Sequence, residues 1–218
     1  MNPMFTAMLA AATAKVEVPI DGSTGVWVKS GTTVISSGMK MTGATITSGQ
    51  SQLIYNCGTA QSCTFSASAI QRVYSGGKAR GCDVLHFQYV SAGGTAINTI
   101  ARYRQYVSSG GSAVGTILRV APELAASIYP AADIATGAFA SGFVVESRGS
   151  AWVHTVSAYD FTAVSSGYIQ VYTGGVLSGV TVESTGRLYV ASGGTALAVV
   201  SAAGATVNVV AGGYIEYA

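Results

Sequence analysis

Cysteine, histidine and carboxylate are the side chains in this sequence that could do chemistry, and their spacing is thin for it. Three cysteines stand at Cys57, Cys63 and Cys82, and two histidines at His86 and His154. A zinc site needs four well-placed ligands, and these five residues show no such spacing. Nine carboxylates run from Glu17 to Glu216 without clustering. Sugar hydrolysis needs a carboxyl pair flanking one bond, and calcium needs several oxygens in one place. Asp133 and Glu146 could approach across two stacked rungs, yet they fall on different strands. No P-loop, Rossmann fingerprint or zinc-helix motif occurs. The expectation is a non-enzymatic chain with no catalytic residues, no metal site and no cofactor.

The composition narrows the class further. Of 218 residues only 9% are charged, against about 25% in ordinary soluble domains. Glycine is abundant at 28 residues, proline scarce at 4, and hydrophobic residues make up 49%. Disorder requires low hydrophobicity and high net charge, so this chain with its net charge of +2 can bury a core. Eleven scattered Lys and Arg residues argue against a nucleic-acid partner, which would demand a basic cluster. The apolar stretch Met1–Ala14 is shorter than the ~20 residues of a membrane span.

What must position the side chains is a repeat. Ser75-Gly76-Gly77-Lys78-Ala79 recurs as Ala92-Gly93-Gly94-Thr95-Ala96, Ser109-Gly110-Gly111-Ser112-Ala113 and Ser192-Gly193-Gly194-Thr195-Ala196. Taking the second glycine or its equivalent as reference gives Thr32, Gly58, Gly77, Gly94, Gly111, Ala132, Gly149, Gly175, Gly194 and Gly213. The unit is about 19 residues, with two steps lengthened by seven near Gly38–Gly49 and Ser157–Gly167. Four before each reference stands Val28, Ile54, Val73, Val90, Val107, Ile128, Val145, Val171, Val190 or Val209. Two after it stands Val34, Ala60, Ala79, Ala96, Ala113, Ile134, Ala151, Leu177, Ala196 or Ile215.

A period this short excludes helix-pair repeats, which need 33 or more residues. Val and Ile at alternating positions favour strands. The predicted fold is all-β: a single-stranded, right-handed parallel β-helix (β-solenoid) of about ten rungs spanning 24–218. Residues 1–23 are predicted to cap it, with a short helix over Met4–Val16, because solenoids need their core ends hidden. Val/Ile should form an internal spine, with glycine turning corners at φ > 0. The segment Ala158-Tyr159-Asp160-Phe161 is predicted to protrude as a loop.

Three further features follow from the period. Cys63 and Cys82 lie five after their references, so they stack about 4.8 Å apart, within disulfide range. Tyr55, Tyr74 and Tyr172 lie three before the reference, and Tyr89, Tyr106 and Tyr189 five before it. Both offsets are odd, which turns the rings away from the spine and makes them a candidate contact ladder. The last residues, Gly212 to Ala218, are repeat-like, and a bare final rung is a template for another chain.

The stretch Gln105-Tyr106-Val107-Ser108-Ser109-Gly110-Gly111-Ser112-Ala113 resembles the strand-loop-strand repeat of AIDA-type autotransporter adhesin passengers, as do 88–99 and 187–196. The resemblance extends over about 24–218. It implies a parallel β-helical passenger on the bacterial cell surface or secreted, acting in adhesion, self-association and biofilm formation. It also implies O-heptosylation, with Ser75, Ser91, Ser108, Ser109 and Ser192 as acceptors beside the corners. Partners implied are copies of the chain itself, a heptosyltransferase and a cell-surface receptor. The alternatives are a filament subunit stacking through terminal rungs and a carbohydrate-binding or carbohydrate-cleaving β-helix.

Overall fold

The computed structural model describes residues 15–17, 26–29, 31–122 and 129–218. Most of the predicted cap lies outside them, but Lys15–Glu17 is a strand antiparallel to Lys40–Thr42, so the predicted helix does not reach Val16. Val26–Lys29 likewise runs antiparallel to Thr32–Ile35. From there on the chain coils through about nine turns, and successive coils pair in parallel.

A typical coil lays down Phe87–Val90, turns, then lays down Thr95–Ile97 and Ile100–Ala101. The first strand of each coil joins an eleven-stranded ladder, called here the first sheet, and the other two join a seventeen-stranded second sheet. In later coils the two short strands fuse, as in Ser157–Ala163, Val176–Val182 and Thr195–Ser201. The predicted protruding loop at Ala158–Phe161 is therefore part of a strand, with Ala158 and Phe161 buried.

The spine exists, in a corrected register. Strand pairing stacks Ile35, Ile54, Val73, Val90, Val107, Ile134, Val153, Val171, Val190 and Val209. All are buried except Val209, which is half-buried against the core. Of the predicted members, Val28 pairs with Thr33 outside this stack, and Ile128 lies outside the described residues. Val145 is buried in the second sheet instead, between Leu118 and Ala163. The two seven-residue excesses disappear. One long step remains, from Val107 to Ile134, and the extra length sits in 119–130 after the strand Ile117–Leu118. The alanine column is Ala60, Ala79, Ala96, Ala113, Ala140, Ala158, Leu177, Ala196 and Ile215, with Met41 at its start. Ile134 and Ala151 belong to first-sheet columns, and Val34 pairs with Leu53.

The error has a physical cause. Each coil has three corners, and glycine serves more than one of them. Gly149 accompanies a different corner from Gly77, so it is a poor phase marker. The two glycines of the repeat also do different jobs. Gly76 has φ 72°, the left-handed region that glycine enters without a Cβ clash. Gly77 has no such φ; a Cβ there would run into the Ile54 carbonyl oxygen of the preceding coil.

Inside the first sheet a second column starts polar and ends apolar. Gln52, Gln71, Gln88 and Gln105 are fully buried. Each Nε2 donates to the amide oxygen of the preceding glutamine: Gln71 to Gln52 at 2.9 Å, Gln88 to Gln71 at 2.5 Å, and Gln105 to Gln88 at 2.6 Å. Buried amides are tolerable only when paired, and the ladder supplies that pairing. Beyond it the column continues as Ala132, Ala151, Ile169 and Leu188. The packing changes with it: Phe143 and Phe161 enter the core here, stacked at 4.6 Å, where Cys63, Cys82, Thr99 and Thr116 occupy the earlier coils. Large rings fill the space that alanine vacates, as close packing requires.

Candidate binding surface

The outer face of the first sheet carries two columns of side chains, set by strand alternation. One runs Ile70, Phe87, Arg104, Ala131, Ser150, Tyr168 and Arg187. Beside it run Arg72, Tyr89, Tyr106, Asp133, Trp152, Gln170 and Tyr189. Aromatic rings and guanidinium groups thus share this face, interspersed with small and polar residues. Arg72 lies over the Tyr89 ring at 5.1 Å, and Tyr89 stacks on Tyr106 at 5.3 Å. Phe87 extends that cluster, 5.8 Å from Tyr89.

The predicted tyrosine ladder is thus two columns. Tyr89, Tyr106 and Tyr189 share the outer face, but Tyr189 lies four coils beyond Tyr106. Tyr55, Tyr74 and Tyr172 sit at the first corner of their coils, and Tyr172 stacks on His154 at 4.2 Å. Trp152 was missed because Gly149 gave the wrong phase there. The glutamine ladder was missed although its members stand at a constant six residues before Gly58, Gly77, Gly94 and Gly111.

Towards the later coils this face opens into a groove of about 520 Å³. Ala131, Gly149 and Ser150 form its low floor, and Tyr129, Trp152 and Tyr168 supply its rings. Arg104 reaches over Trp152 at 4.9 Å, Arg148 over Tyr129 at 4.5 Å, and Arg187 over Tyr168 at 5.5 Å. Burial raises the Tyr168 phenol above its usual range, and its hydroxyl donates to Gln170 at 3.1 Å.

Three of the described carboxylates have a basic side chain beside them. Asp83 takes a bidentate pair from Arg102 at 2.6 and 2.8 Å, and Glu146 takes one from Arg119 at 2.6 and 2.8 Å. Asp133 lies 3.7 Å from His154. Asp133 and Glu146 thus have separate partners. Among the described residues no three His, Cys, Asp or Glu side chains gather as metal ligands, and no helix is long and apolar enough to cross a membrane. His86 stacks on Tyr103 at 5.3 Å; burial lowers its pKa, and its Nδ1 is buried without a partner.

Cys63 and Cys82 are buried in neighbouring coils as thiols, each facing a glutamine amide. The Cys82 thiol is the main cause that brings Cys63 down to about 7, while the same contact and burial push Cys82 up. Cys57 is exposed in a corner at φ 65°. Of the corner serines, Ser75, Ser108, Ser109 and Ser192 are exposed and Ser91 is half-buried.

No family model matches the chain, and no curated protein does. Among solved structures it is similar to the TibC-catalysed, hyper-glycosylated fragment of TibA. The TM-score is 0.60 at 28% identity, covering 84% of this chain and 72% of that one.

Proposed function

We propose that the chain is a non-enzymatic adhesive solenoid of the bacterial cell surface or exterior, and that copies associate through the outer face of the first sheet. One observation carries this reading: the face concentrates Phe87, Tyr89, Tyr106, Trp152 and arginines that, among the described residues, have no carboxylate partner. Aromatic and arginine side chains are what protein interfaces enrich. The repeat's resemblance to autotransporter passengers and the fold's similarity to the TibA fragment support it.

The same similarity supports modification at the corners. The TibA fragment is glycosylated by TibC, and Ser75, Ser109 and Ser192 are exposed hydroxyls at equivalent corners of this chain. Intact mass after co-expression with a heptosyltransferase reads the sugar load. The unmodified mass, unchanged, contradicts this part of the proposal. Non-reducing mass of exported protein also reads a Cys63–Cys82 disulfide, through the loss of a hydrogen pair.

Self-association is tested by sedimentation velocity across a concentration series, with settling of cells that display the chain. The expected result is a sedimentation coefficient that rises with concentration and faster settling. A monomer at every concentration on cells that stay dispersed contradicts it.

A further inference from the structure

The groove at Arg104, Trp152 and Arg187 lies on the face through which copies are proposed to associate, and it has a chemistry of its own. Three guanidinium groups border it, and among the described residues none of the three has a carboxylate partner; the ion pairs are Arg102 with Asp83, Arg119 with Glu146 and His154 with Asp133. Among the described residues no Asp or Glu lines it. Each guanidinium lies over an aromatic ring, a contact that leaves N–H groups for a ligand. A fixed planar fork is suited to bidentate carboxylate recognition. Small residues at Ala131, Gly149 and Ser150 make the depression into which Arg104 reaches.

We infer that this groove binds an acidic saccharide, with Arg104, Arg148 and Arg187 taking its carboxylates and Trp152 and Tyr168 packing against its ring faces. The volume of about 520 Å³ falls within the size of small-ligand sites. Ser150 and Ser166 line the groove as well, and their hydroxyls can pair with those of a polyhydroxylated ligand. Single-stranded nucleic acid also uses stacking and positive charge, but along a continuous basic track. Here three cations border one groove on a chain of net charge +2. The inference is independent of the association reading: a monomer with this groove binds the sugar equally well.

The test is calorimetric titration of the folded chain with a galacturonate oligosaccharide, with the neutral galactose oligosaccharide, with a single-stranded oligonucleotide and with inorganic sulfate in parallel. The galacturonate should bind at least about ten-fold more tightly than its neutral counterpart, a difference one or two charge-assisted hydrogen bonds supply. Arg104→Gln and Arg187→Gln should each weaken it about ten-fold and Trp152→Ala should abolish it, while Arg72→Gln, outside the groove, should leave it unchanged. Equal affinity for charged and neutral sugars, tighter binding of the oligonucleotide, sulfate binding as tightly as the galacturonate, or equal loss from Arg72→Gln each overturns the assignment. So does absence of binding to any probe by protein that melts as a folded solenoid.

Discussion

Gln71 shows how a single side chain joins three coils. It donates to the Gln52 oxygen and the Cys82 sulfur and accepts from Gln88. Truncation strands these partners in a dry core, at about 1–3 kcal/mol, and leaves a cavity besides. Gln71→Ala should therefore cost about 3 kcal/mol or more in urea unfolding. Gln105 ends the ladder with its Oε1 unpartnered, so Gln105→Leu removes one bare group as it exposes another and should cost about 1 kcal/mol. Equal losses at the two positions contradict the ladder. His86 gives a pH dependence. Its folded pKa lies below the usual 6.5 because burial disfavours the cation. The unfolded chain then binds the proton more readily, so stability is lost as pH falls below 6.5 and is recovered above it. Thermal melts between about pH 5 and pH 8 should show that slope, and His86→Phe should flatten it. Side-chain type was legible at this scale wherever packing alone decides it, as in the Val/Ile and Ala columns. The polar interior was not, because buried glutamine runs against the usual exposure of polar residues.

Strand phase marks the limit of what spacing conveys. Coils that keep the reference glycine, from Gly58 to Gly111 and from Gly175 to Gly213, fell into their observed register from sequence. The coils between them did not. Ala138 takes the reference position there, and 119–130 inserts extra chain after the strand Ile117–Leu118. Period counting cannot locate an insertion when glycine marks several corners. The corrected register makes Tyr106 and Asp133 direct neighbours despite the long step between them. In a Cys57→Ser background, Tyr106→Cys with Asp133→Cys should oxidise to an intramolecular disulfide about as fully as Tyr89→Cys with Tyr106→Cys, since both pairs stack at the inter-strand spacing of about 4.8 Å. A pair that cross-links only in the second case contradicts the placement of the long step. Missing Trp152, and with it the groove, was a consequence of the same phase error.

Taken whole, the molecule is a stack of about nine coils, roughly 43 Å tall at the inter-strand spacing. Each coil buries its apolar side only against its neighbours, so interior contacts hold the stack while outward positions are free to vary. That separation allows the working face to be altered without unfolding the chain, and it supplies the most direct test. Tyr89→Ser, Tyr106→Ser and Trp152→Ser combined replace three outward rings and no spine residue. Sedimentation velocity of this variant should give a monomer at concentrations where the parent associates, with melting within a few degrees of the parent's. A variant that associates like its parent contradicts the claim that the outer face of the first sheet is where this protein acts.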